Sequence, residues 1–479
     1  MSKHSIKTSV KNITSDSRKV RPGSMFLAYP GIASDGRNYI IDAIENGASA
    51  VLWDSEGFEW NAEWEVENKP IKQLRLQAGS IASQFYGQPS EKLWMIGVTG
   101  TNGKTSISQW LSQCFNHLNN KTAVIGTLGN GLPNQLSPTS NTTPDAVLLQ
   151  EMLADYVKQD VKTVVMEVSS HGLDQGRVRG VHFDVAVLSN LTRDHLDYHG
   201  SFEDYANAKR RLFIENHLKY AVLNSDDEFG LEIEEALADI GTPVISYGID
   251  RGMVRATELH FESTHFVFYA ITPYGNVPVK VNLIGRFNVY NVLAVLATLL
   301  ASKVSLNDAV EAISHIQSAA GRMQTLGGGD LPLVVVDYAH TPDALEKVLT
   351  TLKEQAGENA KLICIFGCGG NRDPGKRELM GIIASTIASA TVVTSDNPRD
   401  EAPEKIIQDI VGGMHGNFAI EADRAKAISV GIFSAKPGDI VLIAGKGHED
   451  YQEIAGKKYH FSDVEQAKEV LKIYERASL

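Results

Sequence analysis

Between residues 107 and 118 the apolar positions Ile107, Trp110, Leu111, Cys114, Phe115 and Leu118 recur at spacings of three, one, three, one and three, which predicts one buried helix face. The apolar run Trp94–Val98 before it predicts a strand, with a glycine-rich loop between the two. Further apolar runs at 163–168 and 183–188 end in polar residues, as parallel strands do where they deliver side chains to the carboxyl edge of a sheet. Upstream, Ile40, Ile41, Ala43 and Ile44 form a helix pattern that stops at Gly47, before a strand-like Ala-Val-Leu run at 50–52. Downstream of Gly328 the theme repeats, with strands expected at Leu333–Val336, Leu362–Phe366, Ala390–Thr394 and Ile440–Ile443. After the first of these, Thr341 caps a helix, Pro342 takes its first position, and Ala344, Leu345, Val348, Leu349 and Leu352 face inward. The turn cluster Gly87-Gln88-Pro89-Ser90 marks one boundary, and a hinge is expected near 325. The expectation is an α/β protein of three domains: a small mixed α/β unit over 1–90, a central α/β unit over 91–324, and a second doubly wound unit over 325–479.

Length agrees, since 479 residues at about 100–200 per domain make about three domains. The 43% hydrophobic and 22% charged residues are those of an ordinary globular chain, which excludes disorder, collagen and coiled coil as the main architecture. A formal net charge of −13 repels polyanions, and no long basic run offsets it, so no nucleic-acid partner is expected. The polar start MSKHSIKTSVKNITSDSRKV has no apolar core after its lysines, and nothing approaches the ~18 apolar residues of a bilayer span. A cytoplasmic protein without membrane insertion is expected. Of its three cysteines, Cys364 and Cys368 form a lone pair without further zinc ligands, so buried thiols are expected.

The sharpest chemical feature is Gly97-Val98-Thr99-Gly100-Thr101-Asn102-Gly103-Lys104-Thr105, between a strand and a helix. Backbone amides of such a loop cradle phosphates, Lys104 neutralises them, and the Thr105 hydroxyl can ligate Mg²⁺. Val98 stands where the usual phosphate loop has its first glycine, with glycines instead at 97 and 100. The central unit is therefore read as P-loop ATPase-like. Glu167 closes the strand Thr163-Val164-Val165-Met166, where an acid could hold a metal beside those phosphates. His195 follows another apolar run and, taken with Glu167 and Thr105, is a candidate second metal ligand. The glycine run 367–370 is no dinucleotide fingerprint, because Arg372 stands where the third glycine would be.

Gly-Thr-Asn-Gly-Lys-Thr at 100–105, Glu167-Val168-Ser169-Ser170-His171-Gly172, Asn190 to His195, Asn288-x-x-Asn291, Gly321-Arg322 and Asp337-Tyr338-Ala339-His340-Thr341-Pro342 together resemble the Mur ligases, ATP-dependent amide-forming enzymes of peptidoglycan synthesis. The likeness covers essentially the whole chain and implies a Rossmann-like C-terminal domain. Asp396-Asn397-Pro398-Arg399 and Gly445-Lys446-Gly447-His448-Glu449 resemble the motifs of those members that add meso-2,6-diaminopimelate to UDP-N-acetylmuramoyl-L-alanyl-D-glutamate.

The resemblance implies roles residue by residue. Gly100, Thr101, Asn102, Gly103, Lys104 and Thr105 would hold the ATP phosphates, with Asn291 on the adenine side, Arg322 at the phosphates and Asp337 at the ribose. Mg²⁺ would be held by Thr105, Glu167, His195 and Lys209, the last as a carbamate that turns a cation into an anion. Ser17 would meet the uridine end of the UDP substrate, and Thr142, Thr143, Ser169, Gln175 and Arg177 its muramoyl peptide. The loop Gly31-Ile32-Ala33-Ser34 departs from the pattern in being less polar than that of many members. Arg372, Asn397, Arg399, Gly445 and Glu449 resemble the diaminopimelate pocket, two arginines suiting two carboxylates and Glu449 an ammonium. Lys104, Lys209 and Arg322 are the expected catalytic residues, acting through an acyl phosphate. A folylpolyglutamate synthetase shares the central motifs and is the alternative enzyme; a nucleotide-regulated binding protein that ligates nothing is the alternative outside that class.

Overall fold

The computed structural model describes residues 9–477 except 33, 134, 140, 263 and 358. Ala33, in the loop expected to face uridine, thus lies outside the described residues. The chain forms two compact units, Met1–Val254 with Leu293–Ala312, and Arg255–Val292 with Ile313–Leu479.

The first unit begins with a four-stranded parallel sheet, Asn12–Thr14, Ser24–Ala28, Ala48–Asp54 and Glu67–Ile71 in that order. Period-two alternation sends Met25, Leu27, Ala50 and Leu52 to one face, where Leu74, Ala78 and Ala82 of the helix Leu74–Phe85 cover them. Phe26, Ala28 and Val51 face the other way, toward Ile40 and Ala43. The helix Ile40–Glu45 is as expected, but Ile41 is 49% exposed. In so short a helix one residue past Ile40 turns about 100° away from the sheet, so an apolar residue there need not be core.

The larger sheet of this unit runs Val244–Gly248, Tyr220–Asn224, Val185–Leu188, Trp94–Thr99, Thr163–Glu167, Thr122–Gly126, Gly129–Leu132, Gln135–Ser137. The first six strands are parallel and the last two antiparallel. Trp94–Thr99 pairs on one side with the strand that precedes the crossover outward and on the other with Val185–Leu188, so the loop after it opens where strand order reverses, the usual place for a ligand in such a sheet. Close packing is enforced at Gly97, where a Cβ would meet the Phe183 ring at 2.9 Å.

The second unit carries an antiparallel meander, Val254–Phe261, Phe266–Thr272 and Gly275–Val281, and a six-stranded sheet. The latter runs Gln324–Gly327, Leu333–Asp337, Ile440–Ala444, Leu362–Phe366, Ala390–Val393, Phe418–Ile420, parallel apart from its first strand. It is doubly wound: Leu345, Leu349, Met380 and Ile406 cover one face, Ile428, Ile432 and Leu471 the other. Thr341 caps the helix Pro342–Gln355 as expected. The segment near 325, where a hinge is expected, lies in the strand Gln324–Gly327, with Thr325 pairing with Val335. Cys114, Cys364 and Cys368 are free and buried, and burial pushes the Cys114 and Cys368 thiols up to about 12. Among the described residues no helix is long and apolar enough to cross a membrane.

Candidate active site

The strand Trp94–Thr99 delivers the loop 100–103 to the N-terminus of the helix Lys104–His117. Gly100 sits at φ +139°, and a Cβ there would lie 1.9 Å from Ser189 Oγ, so only glycine fits. Gly103, at φ +85°, precedes the helix without a side-chain cap, which leaves the first-turn N–H groups for an anion. Lys104 folds back over the loop, its Nζ donating to Gly100 O and Thr101 O, both at 2.9 Å.

The segment after Leu188 grips this loop. Ser189 Oγ donates to Asn102 O at 2.5 Å, Asn190 Oδ1 accepts from Asn102 N at 3.1 Å, and Thr101 Oγ1 accepts from Thr192 N at 2.9 Å and pairs with the Tyr205 hydroxyl at 2.9 Å. The loop is therefore shaped before any ligand arrives.

Glu167 ends the strand beside it and is fully buried. Its Oε2 accepts from Thr105 Oγ1 at 2.9 Å and Thr127 Oγ1 at 3.1 Å, and its Oε1 from Thr127 N at 2.8 Å. A Cβ on Gly126 would sit 2.2 Å from Glu167 Oε1, so that glycine makes room for the acid. Thr127 was not marked by the sequence; its only signal is a Gly-Thr step closing an apolar strand. The hydroxyl and carboxylate oxygens gathered here are the hard donors that suit Mg²⁺.

Lys209, from the helix Phe202–Ile214, is 1% exposed and donates to Gly100 O at 2.8 Å, the same oxygen that Lys104 uses. Burial, reinforced by the Lys104 charge, holds its pKa well below the ordinary lysine range. The amine so favoured is the form able to react with CO₂. His195, at φ +53°, packs its ring 4.8 Å from that of His171 and 6.2 Å from that of Tyr205. Burial lowers its pKa, with Lys104 and Lys209 adding to the effect. It makes no hydrogen bond to Thr105 or Glu167.

The residues expected at the muramoyl peptide form one connected group. Thr142 Oγ1 lies 3.0 Å from Thr127 Oγ1, which links it to Glu167. Thr143 Oγ1 donates to Glu167 O at 2.9 Å and lies 3.0 Å from Ser169 Oγ, which caps the helix Ser170–Asp174. Arg177 donates through Nε and Nη2 to Gln175 Oε1 and through Nη1 to Thr143 O. Asp145, which the sequence did not single out, caps the helix Ala146–Lys158 and accepts from Ser15 Oγ at 3.0 Å and the Tyr29 hydroxyl at 3.1 Å. It thus ties the small sheet to this group. Ser17 starts the neighbouring 3-10 turn, and its hydroxyl bonds no other described residue.

In the second unit Asp337 is buried, its carboxylate accepting from Met323 N and Ala339 N; burial pushes its pKa up while Arg322 pulls it down. The Arg322 guanidinium stacks 4.8 Å from the Tyr338 ring. Asn291 donates to Asn288 Oδ1 at 3.0 Å from within an apolar helix.

Around the other edge, Asn397 donates to Glu449 Oε2 at 2.8 Å. Arg399, at φ +53°, donates to Gly370 O at 2.7 Å and stands 3.4 Å from Glu453. Gly445, at φ +116°, has no room for a Cβ beside Asp396 Oδ2, 2.6 Å away. Arg372 is exposed and makes no hydrogen bond to another described residue. The sequence did not assign a role to Lys446, Glu453 or the buried pair Arg424–Asp463, whose guanidinium also holds Ser395 O and Ala444 O behind the Asp396–Asn397 and Gly445 loops.

A phosphate loop followed by a second α/β unit that gathers charged side chains fits a nucleotide-driven ligase, and the chain belongs to the Mur ligase family. It matches the family's "catalytic domain" over residues 9–86, its "middle domain" over 98–299 and its "glutamate ligase domain" over 321–447. It is 52% identical to the UDP-N-acetylmuramoyl-L-alanyl-D-glutamate–2,6-diaminopimelate ligase of Chromobacterium violaceum, over 96% of this chain and 94% of that one. The protein of the same name from Nitrosomonas europaea is 48% identical over 96% and 93%. A solved structure of a ligase of that name superposes with a TM-score of 0.74 at 38% identity, covering 97% of this chain and 95% of the other.

Proposed function

We propose that the chain joins meso-2,6-diaminopimelate to UDP-N-acetylmuramoyl-L-alanyl-D-glutamate in an ATP-driven step of cytoplasmic peptidoglycan precursor synthesis. The observation that carries this reading is the likeness of nearly the whole chain, at 52% identity, to a 2,6-diaminopimelate ligase. The pocket supports it, because Arg399 and Arg372 suit carboxylates while Glu449 suits an ammonium, and diaminopimelate carries both at each end.

Activation is needed because a carboxylate is a poor electrophile. The γ-carboxylate of the D-glutamyl residue attacks the γ-phosphorus of ATP, ADP departs, and an acyl phosphate forms. The diaminopimelate amine then attacks the acyl carbon, phosphate leaves, and the nitrogen gives up a proton. Lys104 and Arg322 stabilise charge on the transferring phosphoryl group, so the protein's contribution is mainly positioning and electrostatics. Asn291 and Asp337 serve the nucleoside. Thr105, Glu167, His195 and carbamylated Lys209 would hold Mg²⁺, which neutralises phosphate charge when bound. Thr142, Thr143, Ser169, Gln175 and Arg177 offer donors to the muramoyl peptide, and the unengaged Ser17 hydroxyl suits the uridine end.

A folylpolyglutamate synthetase has no use for a uridine-binding sheet or for the Asp396–Arg399 pocket. The test is product mass and ADP release with the UDP-dipeptide, ATP, Mg²⁺ and a panel of amino acids. Ligation of diaminopimelate, with ADP release that requires both cosubstrates, is expected. ADP release without ligation would replace this reading by a nucleotide-regulated binding protein.

A further inference from the structure

We infer that Lys446 is a positioning residue of the amino-acid pocket, orienting the Asn397 amide and the Glu449 carboxylate so that Glu449 Oε1 is left as the acceptor for the substrate ammonium. The inference rests on the reading that this pocket takes diaminopimelate.

Lys446 is completely buried, an uncommon place for an ammonium unless it is paired. Its Nζ donates to Asn397 Oδ1 at 3.1 Å and Glu449 Oε2 at 3.2 Å, and lies 5.4 Å from the Tyr451 ring. Glu453 N donates to the same Asn397 oxygen at 2.9 Å. An ammonium and a backbone N–H can only donate, so the atom facing both must be the amide oxygen, and both its lone pairs are used. The Asn397 nitrogen is thereby turned to Glu449 Oε2, which then accepts from two donors, while Oε1 accepts from none of the described residues.

A division of labour follows. Asn397 has only an N–H left to offer, which suits a carboxylate and repels an ammonium. Glu449 is the one group of the pair that can receive a positive charge. Without Lys446 the Glu453 N–H still holds the amide oxygen, but Glu449 Oε2 loses its cation and the carboxylate can swing toward water, so the effect should fall on recognition of the amino acid and not on phosphoryl transfer.

The experiment measures KM separately for diaminopimelate, ATP and the UDP-dipeptide in the parent, Lys446→Met and Lys446→Gln. Lys446→Met should raise KM for diaminopimelate about tenfold or more, as expected for loss of a buried charged partner, with the other two KM values and kcat within about threefold. Lys446→Gln, whose amide still donates, should recover part of the loss. Adding Lys446→Met to Glu449→Gln should change KM for diaminopimelate by less than about twofold, because both act through one carboxylate.

A uniform rise in all three KM values, a fall in kcat with KM for diaminopimelate unchanged, or multiplying effects in the double variant would each overturn the inference. If Lys446→Met does not fold by circular dichroism, the glutamine variant and the charge-neutral double variant decide. A parent that ligates a different amino acid overturns the substrate reading instead, and the same KM split with that amino acid still decides the role of Lys446.

Discussion

The phosphate loop and the proposed amino-acid pocket are built on different electrostatic plans. Around Gly100 the supporting contacts come from hydroxyls and backbone of residues 189–192, and two lysine nitrogens crowd one carbonyl oxygen. Around Asn397 most cations already have a partner: Arg424 with Asp463, Arg377 with Glu401 and Asp409, Lys446 with Glu449, Arg399 near Glu453. A site where two lysine nitrogens converge on one oxygen is suited to a polyanion, and its cations act on the transition state. A site that is already balanced is suited to a zwitterion, binding it by exchange of partners, so its charges act on choice. Losing a lysine from the first should therefore slow the reaction, whereas losing an arginine from the second should blur selectivity.

The largest expected break is Lys104→Ala, which should lower kcat/KM about 10³-fold or more, roughly 4 kcal/mol, read as ADP release by the folded variant. A parental rate would remove Lys104 from the phosphates. Lys209→Ala should lose about 10²-fold and regain part of it when a short carboxylic acid fills the gap left by the carbamate. Full activity in bicarbonate-depleted buffer would make Lys209 an ordinary buried amine.

On the other side of the comparison, Arg399→Ala should cut the preference for diaminopimelate over L-lysine by about 10²-fold in kcat/KM ratios. The effect stays at that level because Glu453, 3.4 Å away, partly compensates the guanidinium when the distal carboxylate is missing. Equal selectivity in both proteins would show that Arg399 does not read that carboxylate.

The smallest effect concerns His448, whose pKa burial and then Arg322 lower to about 4. Its unfolded value is 6.5, so the unfolded chain binds the extra proton between these limits and stability is lost as pH falls from 6.5 toward 4. Thermal unfolding at pH 7 and 5 should show about 2 kcal/mol less loss in His448→Gln than in the parent. An unchanged pH slope would mean that other groups carry the acid sensitivity.

The phosphate loop was legible because its chemistry is local: glycines at 100 and 103 and the Lys104-Thr105 pair are consecutive, and the flanking strand and helix announce themselves by period. Thr341 and Pro342 were legible for the same reason. Thr127 was not, since it matters only because Glu167, forty residues on, folds beside it. Lys446 stood inside a recognised motif yet drew no role, because its partner Asn397 comes from a different strand end. Arg424 and Asp463 look like two surface charges until two helices bury them together. The outer strands of the meander, Val254–Phe261 and Gly275–Val281, escaped notice because many of their residues are exposed, leaving short broken alternation, and the apolar run Phe266–Ile271 between them was passed over.

Gly321, at φ +63°, is so close to the turn at Gly447 that a Cβ on it would fall 2.1 Å from the Gly447 carbonyl carbon and the His448 nitrogen. Gly447 in turn, at φ +53°, leaves only 2.7 Å between its own missing Cβ and that of Tyr338. The residues after these glycines are Arg322 and His448, so the backbone that presents the arginine and the backbone that shapes the pocket are pressed together without a side chain between them. Neither loop can be remodelled as an independent module. A graft that imports another family member's 445–449 segment will transmit any change in its curvature to Arg322, whereas exchange of outward-pointing side chains on the existing curve leaves the arginine where it is. Redesign of amino-acid choice in this scaffold is thus a matter of repainting a fixed surface, with the glycine pair inherited as a unit.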